Sequence, residues 1–167
     1  MMAKNDHVLN QETLQSLLEY DKQTGKFTWK IKRTGFATLG SRAGTVNREG
    51  YINIMAKGKM HSAHRLAWLY VYGEWPLLPV DHINGLTGDN RIENLRLVTP
   101  SQNSQNQRRA KKGNISGYLG VTKHGNGWRA QICANGKRTY LGTYKTPDHA
   151  YAVYLEAKRK LHEACAI

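Results

Sequence analysis

One stretch, residues 80–109, constrains most strongly what this chain can fold into. It reads VDHINGLTGDNRIENLRLVTPSQNSQNQRR. Apolar runs over residues 77–83 and 92–99 flank a loop of Asn, Gly and Asp, which predicts two short strands joined by that loop. Thr99 then starts a predicted helix, because Thr suits the N-cap, the next Pro suits the first helical position, and the Gln after Ser completes a capping box.

Three side chains of this stretch could serve one reaction centre. Asp81 and Asn103 offer hard oxygen ligands, which suit Mg²⁺ or Mn²⁺. Histidine as a residue type can act as a base at neutral pH, so His82 could take a proton from water. Hydrolysis of a phosphodiester requires such a base, and a cation that stabilises negative charge on the phosphate and on the leaving oxygen. The residue types therefore predict a one-metal hydrolytic site.

The geometry of a strand sets a condition on this site. Successive strand residues point to opposite faces, so Asp81 and His82 share a site only if the strand ends or bends there. The following Ile-Asn-Gly permits such an end. We interpret Asn94 as a structural residue whose amide holds the His-bearing loop by hydrogen bonds. Composition alone would allow a polar loop and a capped helix without any site, and the joint spacing is what favours a site.

The charge of the chain indicates a polyanionic partner. There are 25 Lys and Arg against 12 Asp and Glu, a formal net charge of +13. We interpret the partner as nucleic acid, with a merely solvated basic surface as the alternative. Cys133 and Cys165 have no CxxC neighbour, which excludes a zinc knuckle and argues against a disulfide framework. The absence of a leader pattern and of a long apolar run predicts a cytoplasmic protein without membrane association.

The residues before this stretch predict a helix followed by a small β-rich region. Helical spacing of Leu predicts a helix over roughly residues 10–20, and alternation predicts strands over residues 26–31 and 51–54. A second helix is predicted over residues 63–72, ended by a Gly. Arg65 and its neighbour His open that helix, where they either pack or reach a phosphate beside the site.

A different pattern follows residue 113. Residues 105–116 have no apolar periodicity and predict a basic linker lying along phosphates, or else a frayed helix end. Its candidate DNA-contacting residues are Arg108, Arg109, Lys111 and Lys112. From Gly117, turn signals at GNG and at Asn135-Gly136 predict three short antiparallel strands, and Thr146-Pro147 predicts the start of a covering helix.

Alternation divides the side chains of these three strands between two faces. The predicted inner face is Val121, Trp128, Ala130, Ile132 and Leu141. The predicted outer face is Thr122, His124, Arg129, Gln131, Arg138 and Tyr140. The inner face is expected to meet the helix stripe of Ala150, Val153, Tyr154, Ala157 and Leu161. A polar sheet face of this kind can enter a major groove, although an ordinary solvated face would look the same.

The motifs D-H-x-N-G, N-R-I-E-N-L-R and T-P-S-Q-N resemble the HNH nucleases over about residues 50–108. The core of that family is a ββα-metal finger. His82, Asn94 and Asn103 fall on its three signature positions, with Asn103 in place of the usual final His, as in the H-N-N variant of phage and intron-encoded homing endonucleases. The resemblance implies that Asp81 and Asn103 bind one Mg²⁺ or Mn²⁺, that His82 is the general base, and that Asn94 holds the fold.

The runs GYLGV, WRAQI, KRTYLGTY and AYAVY resemble the plant APETALA/ethylene-response-factor (ERF) DNA-binding domain over about residues 117–163. That family reads DNA with its sheet face. The resemblance implies DNA contacts by Thr122, His124, Gln131, Arg138 and Tyr140, while Arg129 is placed on that face by alternation alone. Thr122 and His124 stand where the plant domains are rich in Arg, so their target sequence does not transfer.

Together these patterns predict an α+β protein of four segments. They are an N-terminal helix and β-rich DNA-contacting region (1–62), a ββα-metal nuclease core (63–107), a basic linker (108–116) and a three-stranded sheet with one helix (117–167). The predicted function is a metal-dependent endonuclease of the phage or mobile-element homing type. We expect it to act on double-stranded DNA in the host cytoplasm as a monomer or weak dimer, without a protein partner. The alternatives are a non-catalytic DNA-binding regulator on a decayed nuclease fold and an RNA-binding structural protein.

Overall fold

A computed structural model describes residues 9–32, 38–106, 110, 113–134 and 136–162. The chain divides into two compact units, Met1–Val98 and Thr99–Ile167. Each combines helix with strand, and every sheet is small and antiparallel, which confirms the predicted α+β class. The predicted division into four segments stays a prediction.

The described residues of the first unit form three small sheets and two α-helices. In chain order its elements are α1 (Gln11–Leu17), β1 (Leu18–Asp21), β2 (Lys26–Trp29), β3 (Thr45–Val46), β4 (Ile52–Ala56), β5 (Lys59–Ser62), α2 (Ala63–Tyr72), β6 (Val80–His82), a 3-10 turn (Ile92–Asn94) and β7 (Leu95–Leu97). The sheets pair β1 with β2, β3 with β4 and β5, and β6 with β7. The loop that carries residues 83–91 therefore joins the two strands of the last sheet.

Local signals set the ends of both helices. The side chain of Asn10 accepts a hydrogen bond from the backbone N–H of Thr13 at 2.8 Å and caps α1. Helix α2 spans the predicted residues and ends at Gly73, whose φ of 82° is left-handed and whose N–H donates to the carbonyl of Leu69. Glycine adopts this conformation without strain, which explains why the helix ends there.

Several predicted boundaries of the first unit are wrong. Helix α1 ends at Leu17, because residues 18–21 alternate between buried and exposed and pair as a strand. Ile31 lies beyond β2 and is exposed. The strand predicted over residues 77–83 is reduced to β6, since its leading leucines are exposed. Leu97 also points outward, and Val98 is the buried neighbour.

The core of the first unit lies between the two helices and the N-terminal hairpin. Phe27 and Trp29 of β2 are buried against Leu14 of α1 and Leu66 and Leu69 of α2. Each such side chain contributes about 1.5–3 kcal/mol to stability when fully buried. This packing ties the N-terminal hairpin to the elements that carry the candidate site.

The second unit is a three-stranded sheet with a covering helix, preceded by a short helix. Its elements are α3 (Pro100–Gln105), β8 (Val121–His124), β9 (Gly127–Ala134), β10 (Lys137–Tyr144) and α4 (Pro147–Leu161). Strand β9 is central, as the sequence predicted. Val121, Ala130 and Ala150 form a buried cluster between the sheet and α4. Thr146 caps α4 by accepting a hydrogen bond from the N–H of His149 at 3.3 Å.

The predicted burial of one residue of α4 is wrong, and one charged residue of this helix is buried. Leu161, expected in the apolar stripe, is 44% exposed. Lys158, one of the three basic residues in the last turn of this helix, is 1% exposed. Leu161 is the last residue of α4, whereas Lys158 follows Tyr154 by four residues and lies on the same buried face of the helix.

Four predicted DNA-contacting residues of the linker lie outside the described residues, namely Arg108, Arg109, Lys111 and Lys112. Asn135 of the predicted Asn-Gly turn does as well. In the described part of the chain, no helix combines the length and apolar character that a bilayer crossing requires.

Candidate active site

The sheet of β6 and β7 places Asp81 and His82 at the end of a strand. Asp81 pairs with Arg96 and His82 pairs with Leu95 across this sheet. Strand β6 ends at His82, whose carbonyl accepts a hydrogen bond from the N–H of Gly85 at 2.9 Å. The strand therefore ends where the sequence analysis required an end.

The imidazole of His82 is buried and held on several sides. It is 3% exposed. Its Nε2 lies 3.1 Å from Oδ1 of Asn90. The ring of His64 meets it edge-on with centroids 5.2 Å apart, and the ring of Tyr51 lies 5.9 Å away. A ring with these contacts has one preferred orientation.

Asn94 closes the loop that follows His82. Its Oδ1 accepts from the backbone N–H of Asn84 at 3.0 Å, and its Nδ2 donates to Oδ1 of Asn84 at 3.1 Å. The same Nδ2 donates to the carbonyl of Asp89 at 2.8 Å, and the Asn94 carbonyl accepts from the N–H of Ile83 at 2.9 Å. One residue thus binds both ends of the loop.

The far end of this loop is held by an ion pair. Nε and Nη2 of Arg91 donate to the two carboxylate oxygens of Asp89 at 2.8 and 2.7 Å, and Nδ2 of Asn84 donates at 2.7 Å. The hydrogen bonds from Arg91 are the largest cause that lowers the pKa of Asp89 to about 2. Asp89 is therefore a charged structural group of the loop.

Asp81 makes an ion pair across the sheet. Nε and Nη2 of Arg96 donate to its Oδ2 at 3.1 and 3.0 Å. Its negative charge also reaches Tyr51, whose pKa is raised first by burial, then by Glu49 and then by Asp81. Because the Tyr51 ring neighbours His82, Asp81 and His82 both lie close to one tyrosine.

Asn103 lies in the second unit, on helix α3. The predicted capping box is present there, with the N–H of Gln102 donating to Oγ1 of Thr99 at 3.2 Å and the N–H of Thr99 donating to Oε1 of Gln102 at 2.9 Å. The side chain of Asn103 is exposed. Its pairing with Asp81 around a cation stays a prediction, because the two residues belong to different units.

The side chains of Asp81 and Asn103 carry the donor types that a hard cation prefers. Within the described ranges, no three His, Cys, Asp or Glu side chains gather into a metal-binding group. Asp81 and Asn103 would supply one carboxylate and one amide, both of which are oxygen donors that Mg²⁺ accepts. Mg²⁺ keeps several waters and commonly takes phosphate oxygens as further ligands, so two protein donors are enough.

The contacts that two neighbours of His82 make with its ring were not predicted from the sequence. Tyr51 was assigned only to a strand, and Asn90 only to a loop. His64 was expected either to pack or to reach a phosphate, and its ring packs against His82. Arg65 lies with its guanidinium 5.6 Å above the ring of Trp75. Asn90 is the first residue of the motif N-R-I-E-N-L-R, and this position was the one signal in the sequence that could have pointed to it.

Burial makes His64 a pH-sensitive element of stability. Its pKa is lowered from 6.5 to about 4, first by burial and then by His82 and Arg65. Between pH 6.5 and 4 the unfolded chain therefore binds a proton at His64 that the folded chain does not bind. The free energy of unfolding decreases as the pH is lowered through that window. We expect unfolding titrations to show that wild type loses roughly 3 kcal/mol more than His64→Phe between pH 7 and pH 4. Parallel curves would contradict this expectation.

The second unit presents the predicted polar sheet face. The groove on this face is lined by Arg129, Gln131, Arg138 and Tyr140. The guanidinium of Arg129 lies 6.0 Å from the centroid of the Tyr140 ring and also contacts His124. Pairing places Thr122 beside Arg129. Alternation thus assigned these side chains correctly, and Leu141 remains on the inner side despite a bulge between Tyr140 and Gly142.

Comparison with known proteins identifies two matching regions. Residues 61–105 match the family model described as HNH endonuclease. The chain is 38% identical over 85 residues to Protein 3.8 of Escherichia phage T7, covering 50% of this chain and 69% of that protein. It is 39% identical over 74 residues to the AP2/ERF and B3 domain-containing transcription factor At1g50680 of Arabidopsis thaliana, covering 44% of this chain but only 20% of that protein. No solved structure gives a significant match.

Proposed function

The chain belongs to the family of Protein 3.8 of Escherichia phage T7, and from its HNH endonuclease match over residues 61–105 we propose that it is a metal-dependent DNA endonuclease. The matched residues 61–105 contain His82, Asn94 and Asn103. The reaction would be hydrolysis of a phosphodiester bond in double-stranded DNA. The homing type, with its site-specific cut, is part of the same proposal.

The observation that carries the proposal is the preorganised setting of His82. The ring is buried, contacted by His64 and Tyr51, and hydrogen bonded by Asn90. In the proposed reaction His82 removes the proton from the attacking water. Asn94 acts indirectly, because its hydrogen bonds hold the loop that begins at this histidine. General bases that are fixed in this way contribute about 10²- to 10⁴-fold to a rate.

Asp81 and Asn103 would hold one Mg²⁺ or Mn²⁺. When bound, such a cation stabilises the negative charge that develops on the phosphate and the leaving oxygen. Asp81 contributes a carboxylate that Arg96 holds in position across the sheet. Asn103 would contribute a neutral amide oxygen, a donor that suits Mg²⁺ or Mn²⁺ better than softer metals such as copper.

The sheet of the second unit would supply affinity for DNA and recognition of the target sequence. Its groove of Arg129, Gln131, Arg138 and Tyr140 combines two cations with amide and hydroxyl groups, the side-chain types that bind phosphates and base edges. Thr122, His124 and the basic linker would extend this contact, and Arg65 would contribute from the first unit. One active centre per chain implies nicking by a monomer, or a weak dimer for a double-strand cut. The site of action would be the cytoplasm of a phage-infected host.

A matched pair of variants tests the sheet face. Arg138 and Lys137 are neighbours on β10 with the same charge, and alternation directs them to opposite faces. We expect Arg138→Ala to weaken duplex DNA binding by about 5- to 100-fold, the range for a lost arginine contact to a base. Lys137→Ala should change it by less than about twofold. Equal losses in a filter-binding titration would show that bulk charge, and not this face, determines binding.

The activity itself is tested by incubating supercoiled plasmids that carry segments of phage and host DNA with the protein. With Mg²⁺ or Mn²⁺ we expect conversion to nicked circles, and with EDTA no conversion. DNA binding without nicking of any segment would refute the nuclease proposal and favour the regulator.

A further inference from the structure

Asn90 connects His82 to the N-terminal hairpin of β1 and β2. The residue is 1% exposed. Its side-chain Oδ1 lies 3.1 Å from Nε2 of His82. Its backbone carbonyl accepts a hydrogen bond from the hydroxyl of Tyr20 at 2.7 Å. Tyr20 precedes Asn90 by 70 residues, so this contact joins the beginning of the unit to its candidate site.

The turn of the hairpin packs directly against the backbone of Asn90. Gly25 has a φ of 68°, and a Cβ there would lie 2.5 Å from the carbonyl carbon of Asn90 and 2.4 Å from the nitrogen of Arg91. The turn is itself fixed, since Asp21 accepts hydrogen bonds from the N–H groups of Gln23 and Gly25. Only glycine fits at this position without displacing the Asn90 backbone.

Tyr20 is built to remain a hydrogen-bond donor. Its ring is buried and packs against Phe27 at 4.8 Å and Tyr70 at 5.5 Å between centroids. Burial is the main cause that raises the pKa of Tyr20 to about 12. The hydroxyl of Tyr20 thus stays protonated at neutral pH and keeps its hydrogen bond to the Asn90 carbonyl.

The side-chain amide of Asn90 is hydrogen bonded through its oxygen but not through its nitrogen. Among the residues that the structure describes, its buried Nδ2 has no hydrogen-bond partner. Buried polar groups are normally paired, so an unpaired one calls for an explanation, and a role in catalysis is one of those recognised. The oxygen of this amide is directed to His82 while its nitrogen remains without a bond.

We propose that Asn90 is the positioning residue of the nuclease reaction, that it selects the tautomer of His82 with the proton on Nε2, and that the β1–β2 hairpin holds it through Tyr20 and Gly25. The role in catalysis rests on the proposed function of His82. An amide oxygen can only accept, so Nε2 must donate to it, and Nδ1 carries the lone pair. The proton of the attacking water passes to Nδ1, the water oxygen bonds to phosphorus, the bond to the leaving oxygen breaks, and that oxygen takes a proton from solvent.

The tautomer can be measured without DNA, cation or activity. Two-bond ¹H–¹⁵N spectra of the full-length chain with ¹⁵N-histidine should show His82 protonated on Nε2 at a pH where its ring is neutral. Asn90→Asp, which keeps an acceptor oxygen, should preserve this signature, whereas Asn90→Leu should give a mixture of tautomers. Wild-type His82 protonated on Nδ1 would overturn the proposal, and so would an unchanged signature in Asn90→Leu.

A glycine pair tests the part played by the hairpin. Gly25 and Gly58 both have positive φ, at 68° and 74°, but a Cβ at Gly58 meets nothing within 4 Å. Gly25→Ala should therefore disturb the Nε2–H signature and Gly58→Ala should preserve it. If both variants behave alike, the hairpin does not hold Asn90.

Kinetics separate positioning from a merely structural role. With saturating DNA, Asn90→Leu should lower kcat by about 10- to 100-fold, the usual loss for a residue that orients a reacting group, with KM unchanged. Asn90→Asp should recover most of this loss. Equal damage by both variants, or a change confined to KM, would overturn the positioning role. If wild type has the predicted tautomer but no nicking activity, the nuclease proposal fails while the positioning of His82 stands.

Discussion

Replacing His82 by Ala is expected to lower the rate of plasmid nicking by about 10²- to 10⁴-fold, the usual contribution of a general base. The imidazole is buried beside Tyr51, His64 and Asn90, and of these three side chains only His64 is an alternative base, because the pKa of Tyr51 is raised by its burial. His64 cannot substitute easily, because its own pKa of about 4 makes it a weak base. The rate should be measured in single turnover with saturating protein, so that binding does not enter.

The matched control for this variant is His149→Ala. His149 is exposed on α4, where its ring contacts Tyr144 at 4.7 Å. We expect this variant to nick at the wild-type rate, and His82→Ala to bind DNA as tightly as wild type. Retention of more than about a tenth of the rate in His82→Ala would exclude His82 as the base.

Replacing Asp81 by Ala is expected to weaken Mn²⁺ binding by on the order of 10²-fold, and to reduce nicking correspondingly at limiting cation. Even residues that only orient metal ligands cost about 10- to 100-fold when lost, and a ligand should cost at least as much. Asn103→Ala should have the same direction of effect, since it removes the second proposed oxygen donor. Binding is measured by titrating the protein with Mn²⁺ and recording the free ion by electron paramagnetic resonance.

The ion pair with Arg96 provides the control that Asp81 requires. Asp81→Ala removes both the proposed ligand and the pair, whereas Arg96→Met removes the pair and keeps the carboxylate. If Asp81 binds the cation, Arg96→Met retains Mn²⁺ binding. If Asp81 only stabilises the sheet of β6 and β7, the two variants lose stability equally and neither changes the affinity for Mn²⁺.

The parts of the fold that the sequence predicted correctly rest on local physical signals. The capping box of Thr99 and Gln102, the stop at Gly73 and the alternation along β9 each act within a few residues. Such signals depend only on backbone geometry and hydrogen bonds to near neighbours. These signals can therefore be recognised in the sequence without knowledge of the tertiary contacts.

The errors arise where tertiary packing decides. Leu97 and Leu161 are apolar but exposed, and Lys158 is charged but buried, because the space available to each is set by distant elements. The same holds in the candidate site. Spacing singled out His82 and Asn94, yet no local pattern shows that Asn90 bonds His82 or that Tyr20 bonds Asn90 across 70 residues.

The hydrogen bonds of Asn94 set the permitted length of the loop after His82. The side-chain amide of Asn94 binds Asn84 near the start of the loop and Asp89 near its end, and so fixes the distance between these two residues. An inserted or deleted residue between these two points would leave one of the bonds unmade and would rotate the strand end that carries the histidine. The interval of twelve residues between His82 and Asn94 is thus fixed by these hydrogen bonds. Natural variation in length is expected in other loops of the protein.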